Sequence, residues 1–155
     1  MNKKAASKDY LTKFLPREIG ILQKLYHPYI IQCHSIVETE KQAFFVMELA
    51  ENGDLLDYVN SRRRLPEHEC RYIFGQIAEG MDYLHSNNIC HRDLKCENIL
   101  LAKDMSVKIG DFGFACDLLV SPTKTPCGSY SYAAPELFSR PTEHYDGKKA
   151  DVWSM

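Results

Sequence analysis

The sequence lacks the features that mark membrane, secreted and nucleic-acid-binding proteins. None of its 155 residues lies in an apolar run long enough to cross a bilayer, and the N-terminal residues hold no hydrophobic stretch like that of a signal peptide. The formal net charge of −2 gives no indication of a nucleic-acid or membrane partner. We therefore expect a soluble, cytoplasmic protein that binds neither.

Paired cysteine motifs are missing as well. The six cysteines include no C-x-x-C pair, and no histidines at the spacing of a zinc site accompany them. A zinc site is therefore not expected, and the cysteines are interpreted as small, partly apolar residues of a reducing compartment.

What the sequence contains is enough for one ordinary folded domain, with 45% hydrophobic and 26% charged residues. Residues 9–25 predict a helix, but Pro16 lies inside this stretch and predicts a kink or a late helix start. Residues 30–37 and 42–49 predict the two strands of a hairpin.

The next stretch predicts two helices. Asp54 is suited to cap a short helix that ends near Val59. A longer helix, from residue 66 or 67 to about 85, is supported by an apolar stripe. That stripe consists of Ile73, Phe74, Ile77, Met81 and Leu84.

The remaining segments predict an α+β fold. Short strands are expected at 99–101 and 107–109, and residues 111–136 have the composition of a loop. A short helix is expected after Pro135, and another is expected to begin at Asp151.

Four motifs follow one another in the second half of the chain. Residues 91–98 read His-Arg-Asp-Leu-Lys-Cys-Glu-Asn, 111–113 read Asp-Phe-Gly, 134–136 read Ala-Pro-Glu, and 151–154 read Asp-Val-Trp-Ser. With these motifs the chain resembles a protein kinase, in which residues 91–98 form the catalytic loop. The resemblance implies that the motifs supply a base, a phosphate-facing lysine and two Mg²⁺ ligands in the order that phosphoryl transfer to a hydroxyl requires.

The resemblance implies four roles in catalysis and metal binding. Asp93 matches the base that accepts or orients the proton of the substrate hydroxyl, and Lys95 would neutralise the transferring phosphate. Asn98 and Asp111 offer oxygen ligands for Mg²⁺, with ATP as the phosphoryl donor. Each residue alone is better interpreted as a surface polar group in a turn, but their combined order favours the functional interpretation.

The substrate class follows from the same comparison. Kinases with a lysine at the position of Lys95 resemble the serine/threonine class, and Ser129 matches the residue that the family hydrogen-bonds to the base and the lysine. The resemblance therefore implies protein substrates with Ser or Thr acceptors.

Arg92 has two interpretations. It anchors the loop through backbone hydrogen bonds, or it receives a phosphate placed on the activation segment, because guanidinium–phosphate pairs order such loops. By the resemblance, this segment runs from the Asp-Phe-Gly motif to the Ala-Pro-Glu motif. Thr125 is the preferred phosphate position, from an upstream kinase. Ser121 and Thr123 are weaker candidates, since short Ser/Thr/Pro stretches are often solvated loop.

A further set of residues matches the family's nucleotide site. Glu18 matches the helix glutamate that pairs with the ATP-binding lysine, the alternative being an exposed helix carboxylate. Met47 would be the gatekeeper, and the backbone from Glu48 to Ala50 would be the hinge that holds adenine. Leu100 would form the floor beneath the adenine base.

Four other residues have less direct roles. Asp54 would bind ribose hydroxyls or a basic substrate residue, and Glu97 the latter, although each is equally well a capping or surface acid. His91 is expected to pack beneath Phe112, and Asp151 to clamp the catalytic-loop backbone.

Local strings narrow the resemblance to the testis-specific serine/threonine kinases, a family of the calmodulin-dependent kinase-like group with a role in spermatogenesis. Residues 14–19 (Phe-Leu-Pro-Arg-Glu-Ile), 53–56 (Gly-Asp-Leu-Leu) and the cysteine within the catalytic loop carry this similarity.

Two strings that kinases use for ATP are not found, a G-x-G-x-x-G and a V-A-x-K. We therefore expect a single partial kinase domain over residues 1–155, incomplete at both ends. Residues 1–48 would form a remnant of the small lobe and 49–155 an incomplete large lobe of the two-lobe fold. Two hypotheses stay open, the central part of an active kinase and a truncated, non-catalytic binding module.

Overall fold

The computed structural model describes residue 3 and residues 10–120, 122–125, 127–139 and 144–155. Over these ranges the chain combines helices with three two-stranded antiparallel sheets, so the α+β prediction is confirmed. No helix in the described ranges is long and apolar enough to span a membrane.

The first regular helix begins later than the start at residue 9 that the apolar pattern predicted. A π-helical turn covers Tyr10–Phe14, and the regular helix α1 covers Leu15–Leu22. Pro16 lies in the first turn of α1, the part of an α-helix that tolerates proline best. The late start was one of the two expected outcomes for this proline.

The predicted hairpin is present with shorter strands. Strand β1 is Cys33–Glu38 and strand β2 is Ala43–Met47, paired antiparallel with one irregularity between Cys33 and Ser35. Ile36 and Phe45 are register partners and pack against the core.

Two helices follow the hairpin. Helix α2 is Leu55–Arg62, and the Asp54 carboxylate caps it by accepting a hydrogen bond from Asp57 N at 2.9 Å. Helix α3 is Glu67–Ser86 and buries the predicted stripe with one exception. The inward orientation predicted for Phe74 is wrong, because its side chain is 49% exposed.

The rest of the described chain consists of short elements. Strands β4 (Ile99–Leu101) and β5 (Val107–Ile109) pair as predicted. Strands β3 (Ile89–Cys90) and β6 (Cys116–Asp117) pair with each other and were not predicted.

Two helices end the chain. Helix α4 is Glu136–Ser139, after Pro135 as predicted. Helix α5 is Gly147–Ser154, so its predicted start at Asp151 was too late. The true start is set by Asp146, whose carboxylate accepts hydrogen bonds from Lys148 N and Lys149 N.

The core joins α3 to the β4–β5 hairpin. Met81, Leu84, Leu101 and Ile109 are all nearly inaccessible to solvent. Gly80 allows α3 to approach closely, since a Cβ there would lie 2.7 Å from Ile109 Cδ1. This packing supports the loops at the ends of the short strands, where the predicted site residues are found.

Candidate active site

The backbone of the catalytic loop is held by one buried carboxylate. Asp151 Oδ2 accepts a hydrogen bond from His91 N at 2.9 Å, and Oδ1 accepts one from Arg92 N at 2.7 Å. His85 Nε2 lies 2.9 Å from Asp151 Oδ2, and the Asp151 side chain is 1% exposed. The expectation that Asp151 clamps the loop is confirmed.

His91 connects this loop to the Asp-Phe-Gly segment. Its ring is completely buried, lies 5.2 Å from the ring of Phe112, and has Nε2 at 2.9 Å from the carbonyl oxygen of Gly110. The predicted packing of His91 against Phe112 is confirmed. The contact relates the catalytic loop to the backbone around Asp111, which lies two residues after the end of β5.

Asp93, Lys95 and Ser129 form a triangle of polar contacts. Ser129 Oγ donates to Asp93 Oδ1 at 2.8 Å, and Lys95 Nζ donates to Ser129 Oγ at 2.8 Å. Lys95 Nζ also lies 3.2 Å from Asp93 Oδ2. A carboxylate, a hydroxyl and an ammonium group are thus held within hydrogen-bond reach of one another.

Gly128 makes this triangle possible. Its φ of 99° lies in the left-handed region, and a Cβ there would lie only 2.4 Å from the carbonyl oxygen of Arg92. Only glycine therefore lets the segment before Ser129 pass so close to the catalytic loop.

Asn98 and Asp111 present the oxygen atoms expected of metal ligands. Asn98 Nδ2 donates to the Asp93 carbonyl oxygen at 2.8 Å and lies 3.3 Å from Asp93 Oδ2, which directs its Oδ1 away from Asp93. Asp111 is exposed, has a φ of 55°, and accepts a hydrogen bond from Gly113 N at 3.2 Å.

These donors fit a Mg²⁺ ion that takes its other ligands from phosphates and water. Mg²⁺ is usually held by one or two protein oxygens together with substrate phosphates, rather than by a protein cage. Within the described ranges, no group of three or more His, Cys, Asp or Glu side chains is placed to hold a metal by itself.

A cavity of about 250 Å³ brings together three of the residues predicted for the nucleotide site. Glu18, Met47 and Asp111 line it. The other lining residues are apolar, namely Leu22, Ile31, Phe45 and Phe112.

The hinge and floor residues lie on neighbouring segments. Glu48 and Ala50 follow strand β2 and are half-buried, and Leu100 is half-buried on β4. Asp54 and Glu97 do not line the cavity. Asp54 serves the α2 cap, as its alternative interpretation predicted, and Glu97 is exposed on the 3₁₀ turn Cys96–Asn98.

Comparison with known proteins agrees with this geometry. A family model of the protein kinase domain matches residues 1–155. The chain is similar to testis-specific serine/threonine-protein kinase 1 of Mus musculus, with 42% identity over 162 aligned residues. That alignment covers 100% of this chain and 44% of the mouse protein. The chain belongs to the protein kinase family. Members of this family generally use ATP and Mg²⁺.

Arg92 connects the catalytic loop to the activation segment. The backbone of Arg92 has a φ of 66°, and its Nε donates to the Phe114 carbonyl oxygen at 2.7 Å. Nη1 reaches the Tyr145 hydroxyl at 3.2 Å and the Thr125 carbonyl oxygen at 3.5 Å. Nη2 is buried and has no hydrogen-bond acceptor among the described residues.

Tyr145 is the member of this group that the sequence did not reveal. Burial raises the pKa of Tyr145 to about 12, against the opposing effect of the Arg92 guanidinium. The phenol therefore keeps its proton near neutral pH and donates to the Thr125 carbonyl oxygen at 3.4 Å. Tyr145 belongs to none of the recognised motifs, and only the folded chain brings it to Arg92.

The three candidate phosphorylation sites differ in accessibility. Thr125 is exposed. Thr123 is buried and its hydroxyl donates to the Tyr145 carbonyl oxygen, so the interpretation of Thr123 as solvated loop is wrong. Ser121 lies outside the described residues.

The Asp151 clamp can be tested by substitution. Asp151→Asn removes the charge that accepts the His91 and Arg92 amides, and hydrogen bonds to a charged group contribute about 1.5–3 kcal/mol. We expect a loss of that size in the free energy of unfolding, measured by urea denaturation. Hydrogen exchange should also accelerate in the peptide that contains residues 91–92.

The exposed Asp82→Asn on α3 is the matched control and should leave both measurements unchanged. Unchanged exchange at residues 91–92 in Asp151→Asn would contradict the clamp.

Proposed function

We propose that the natural protein carrying this chain is a protein kinase that transfers the γ-phosphate of ATP to Ser or Thr hydroxyls of other proteins. The observation that carries the proposal is the triangle of Asp93, Ser129 and Lys95, with its contacts of 2.8, 2.8 and 3.2 Å. Phosphoryl transfer needs positioning and charge neutralisation more than covalent chemistry, and these groups supply both.

In the proposed mechanism, Asp93 orients the acceptor hydroxyl and takes its proton. Asn98 restrains Asp93 through the bond from Nδ2 to the Asp93 carbonyl oxygen at 2.8 Å. Lys95 carries a positive charge next to the base, where it would stabilise negative charge on the transferring phosphoryl oxygens. Ser129 joins the two and so fixes the distance between base and cation.

Asn98 and Asp111 would hold Mg²⁺ on the ATP phosphates. Bound Mg·ATP supplies the phosphoryl group together with a cation that neutralises its oxygens. Five residues around the cavity and hinge would hold the rest of the nucleotide, namely Glu18, Met47, Glu48, Ala50 and Leu100. Their support is the cavity shared by Glu18, Met47 and Asp111 and the nearby position of β4.

The roles of Asp54 and Glu97 stay predictions. The exposed Glu97, two residues after Lys95, is suited to contact a basic substrate residue. We also propose that residues 1–48 belong to the small lobe and 49–155 to the large lobe, and that the protein is cytoplasmic. The alternative of a non-catalytic binding module has no contact among the described residues in its favour.

The test of this function is phosphorylation of a basic Ser/Thr peptide by the full-length natural protein with Mg·ATP. Asp93→Asn should lower kcat by about 10²–10⁴-fold, the usual contribution of a general base. Nucleotide affinity should change little, because Asp93 acts on the hydroxyl. A matched peptide with Tyr in place of the acceptor should stay unmodified. Absence of Mg·ATP-dependent phosphorylation by the wild type would refute the proposal.

We further propose that Thr125 is phosphorylated and that Arg92 receives the phosphate. The support is the 3.5 Å separation of Arg92 Nη1 from the Thr125 carbonyl oxygen and the buried Nη2 that has no acceptor among the described residues. A phosphate provides acceptors of the charge that a guanidinium requires.

Thr125→Ala should therefore lower activity about tenfold or more, since a charged hydrogen bond contributes about 1.5–3 kcal/mol. Ser86→Ala, at the exposed end of α3, is the control without effect. Mass spectrometry of the active protein should find the phosphate on Thr125. A fully active protein without phosphate at this position would contradict the proposal.

A further inference from the structure

Glu48 makes three contacts that tie the hinge to its surroundings. Its carboxylate Oε2 lies 2.9 Å from Lys108 Nζ, and Oε1 accepts a hydrogen bond from Gln32 N at 2.7 Å. The Glu48 backbone N–H donates to the Gln32 carbonyl oxygen at 2.9 Å. One residue thus joins the hinge to two separate segments of the chain.

One partner of Glu48, Lys108, lies beside the predicted floor of the nucleotide site. Lys108 is the middle residue of β5 and the register partner of Leu100, the predicted floor under adenine. Three residues after Lys108 comes Asp111, the predicted metal ligand. Movement of Lys108 therefore affects both the floor and the start of the Asp-Phe-Gly segment.

The backbone next to these side chains reinforces the same junction. Ile31 N donates to the Ile109 carbonyl oxygen at 2.9 Å, and Ile109 N donates to the Tyr29 carbonyl oxygen at 2.8 Å. Residues 29–32 therefore lie between the hinge and β5, bonded to both. The Glu48–Lys108 ion pair adds a direct side-chain link between the hinge and β5.

The ion pair is better placed to matter than an ordinary surface pair. The side chains of Lys108 and Glu48 are 15% and 25% exposed, so solvent screens their attraction only in part. A second ion pair provides a contrast. Lys103 Nζ, in the β4–β5 turn, lies 3.8 Å from Glu51 Oε2, and the two side chains are 84% and 47% exposed. Pairs of that exposed kind contribute little.

We propose that Glu48 and Lys108 are positioning residues that set the affinity for adenine. The pair fixes the backbone of the hinge at one height above Leu100, and this height defines the slot for the base. The inference rests on the proposed function, because the hinge holds adenine only if the protein binds ATP. A hinge displaced by even about 1 Å would lengthen its hydrogen bonds to the base, which geometry of this kind does not tolerate well.

The test uses four variants of the full-length natural protein, namely Glu48→Gln, Lys108→Met, the double variant and Lys108→Arg. Glu48→Gln keeps an acceptor for Gln32 N and removes only the charge. Each of the first two should raise the Kd for Mg·ATP about three- to tenfold and raise the KM for ATP equally, with kcat within about twofold of wild type. The double variant should bind no more weakly than the weaker single variant, since both remove the same interaction.

Three controls separate positioning from general loosening of the fold. Lys103→Met removes the exposed pair and should bind Mg·ATP like the wild type. Lys108→Arg keeps a cation next to Glu48 and should therefore keep the affinity for Mg·ATP within about twofold of the wild-type value. Mg·tripolyphosphate, which has the phosphates without adenine, should bind all variants equally.

Several outcomes would overturn the inference. They are unchanged Mg·ATP affinity in both single variants, fully additive losses in the double variant, or an equal loss of tripolyphosphate affinity. A wild-type protein that binds no nucleotide would instead overturn the proposed function, and the inference with it.

Discussion

The buried carboxylate of Asp151 is the constraint on which the candidate active site depends. A charge 1% exposed is stable in a protein interior only when donors surround it, and here two backbone amides and the His85 ring do so. The stabilisation is mutual, because the hydrogen bonds that satisfy the Asp151 carboxylate also hold the backbone of His91 and Arg92. Arg92 has a φ of 66°, a conformation that a non-glycine residue keeps only when its surroundings impose it.

From this clamp the order of the site extends in two directions. Toward β5, His91 contacts the Gly110 carbonyl oxygen at 2.9 Å and so relates the loop to Asp111. Toward the activation segment, Asp93 and Lys95 meet at Ser129, with a glycine before it to allow the approach. Asp93 and Asp111, the proposed base and metal ligand, thus come from separate segments that share one support, as transfer of a phosphoryl group would require.

Sequence was informative where a pattern is local. The apolar period predicted α3 to within a residue, and the run of motifs singled out Asp93, Lys95, Asn98 and Asp111 as candidate site residues. It failed where the deciding contact is distant in the chain. Phe74 fits the helical stripe but faces out, and β3 and β6 are only two residues each, too short to leave a period.

The same reason explains the residues that were missed. Tyr145 contacts Arg92 across 53 positions of sequence, and Lys108 contacts Glu48 across 60. No spacing rule connects such pairs. Thr123 was interpreted from the composition of its neighbours, whereas its burial comes from a contact with Tyr145. Short polar stretches carry no information on which of their members the fold encloses.

The most direct test of this account is where a metal–nucleotide complex binds. Mn²⁺ added with ATP to the isotopically labelled full-length protein should broaden the NMR signals of Asn98 and Asp111 most strongly, because paramagnetic broadening falls steeply with distance from the ion. The exposed Lys103 on the β4–β5 turn should be unaffected. Broadening centred elsewhere while ATP binds, with Asn98 and Asp111 unperturbed, would contradict the account.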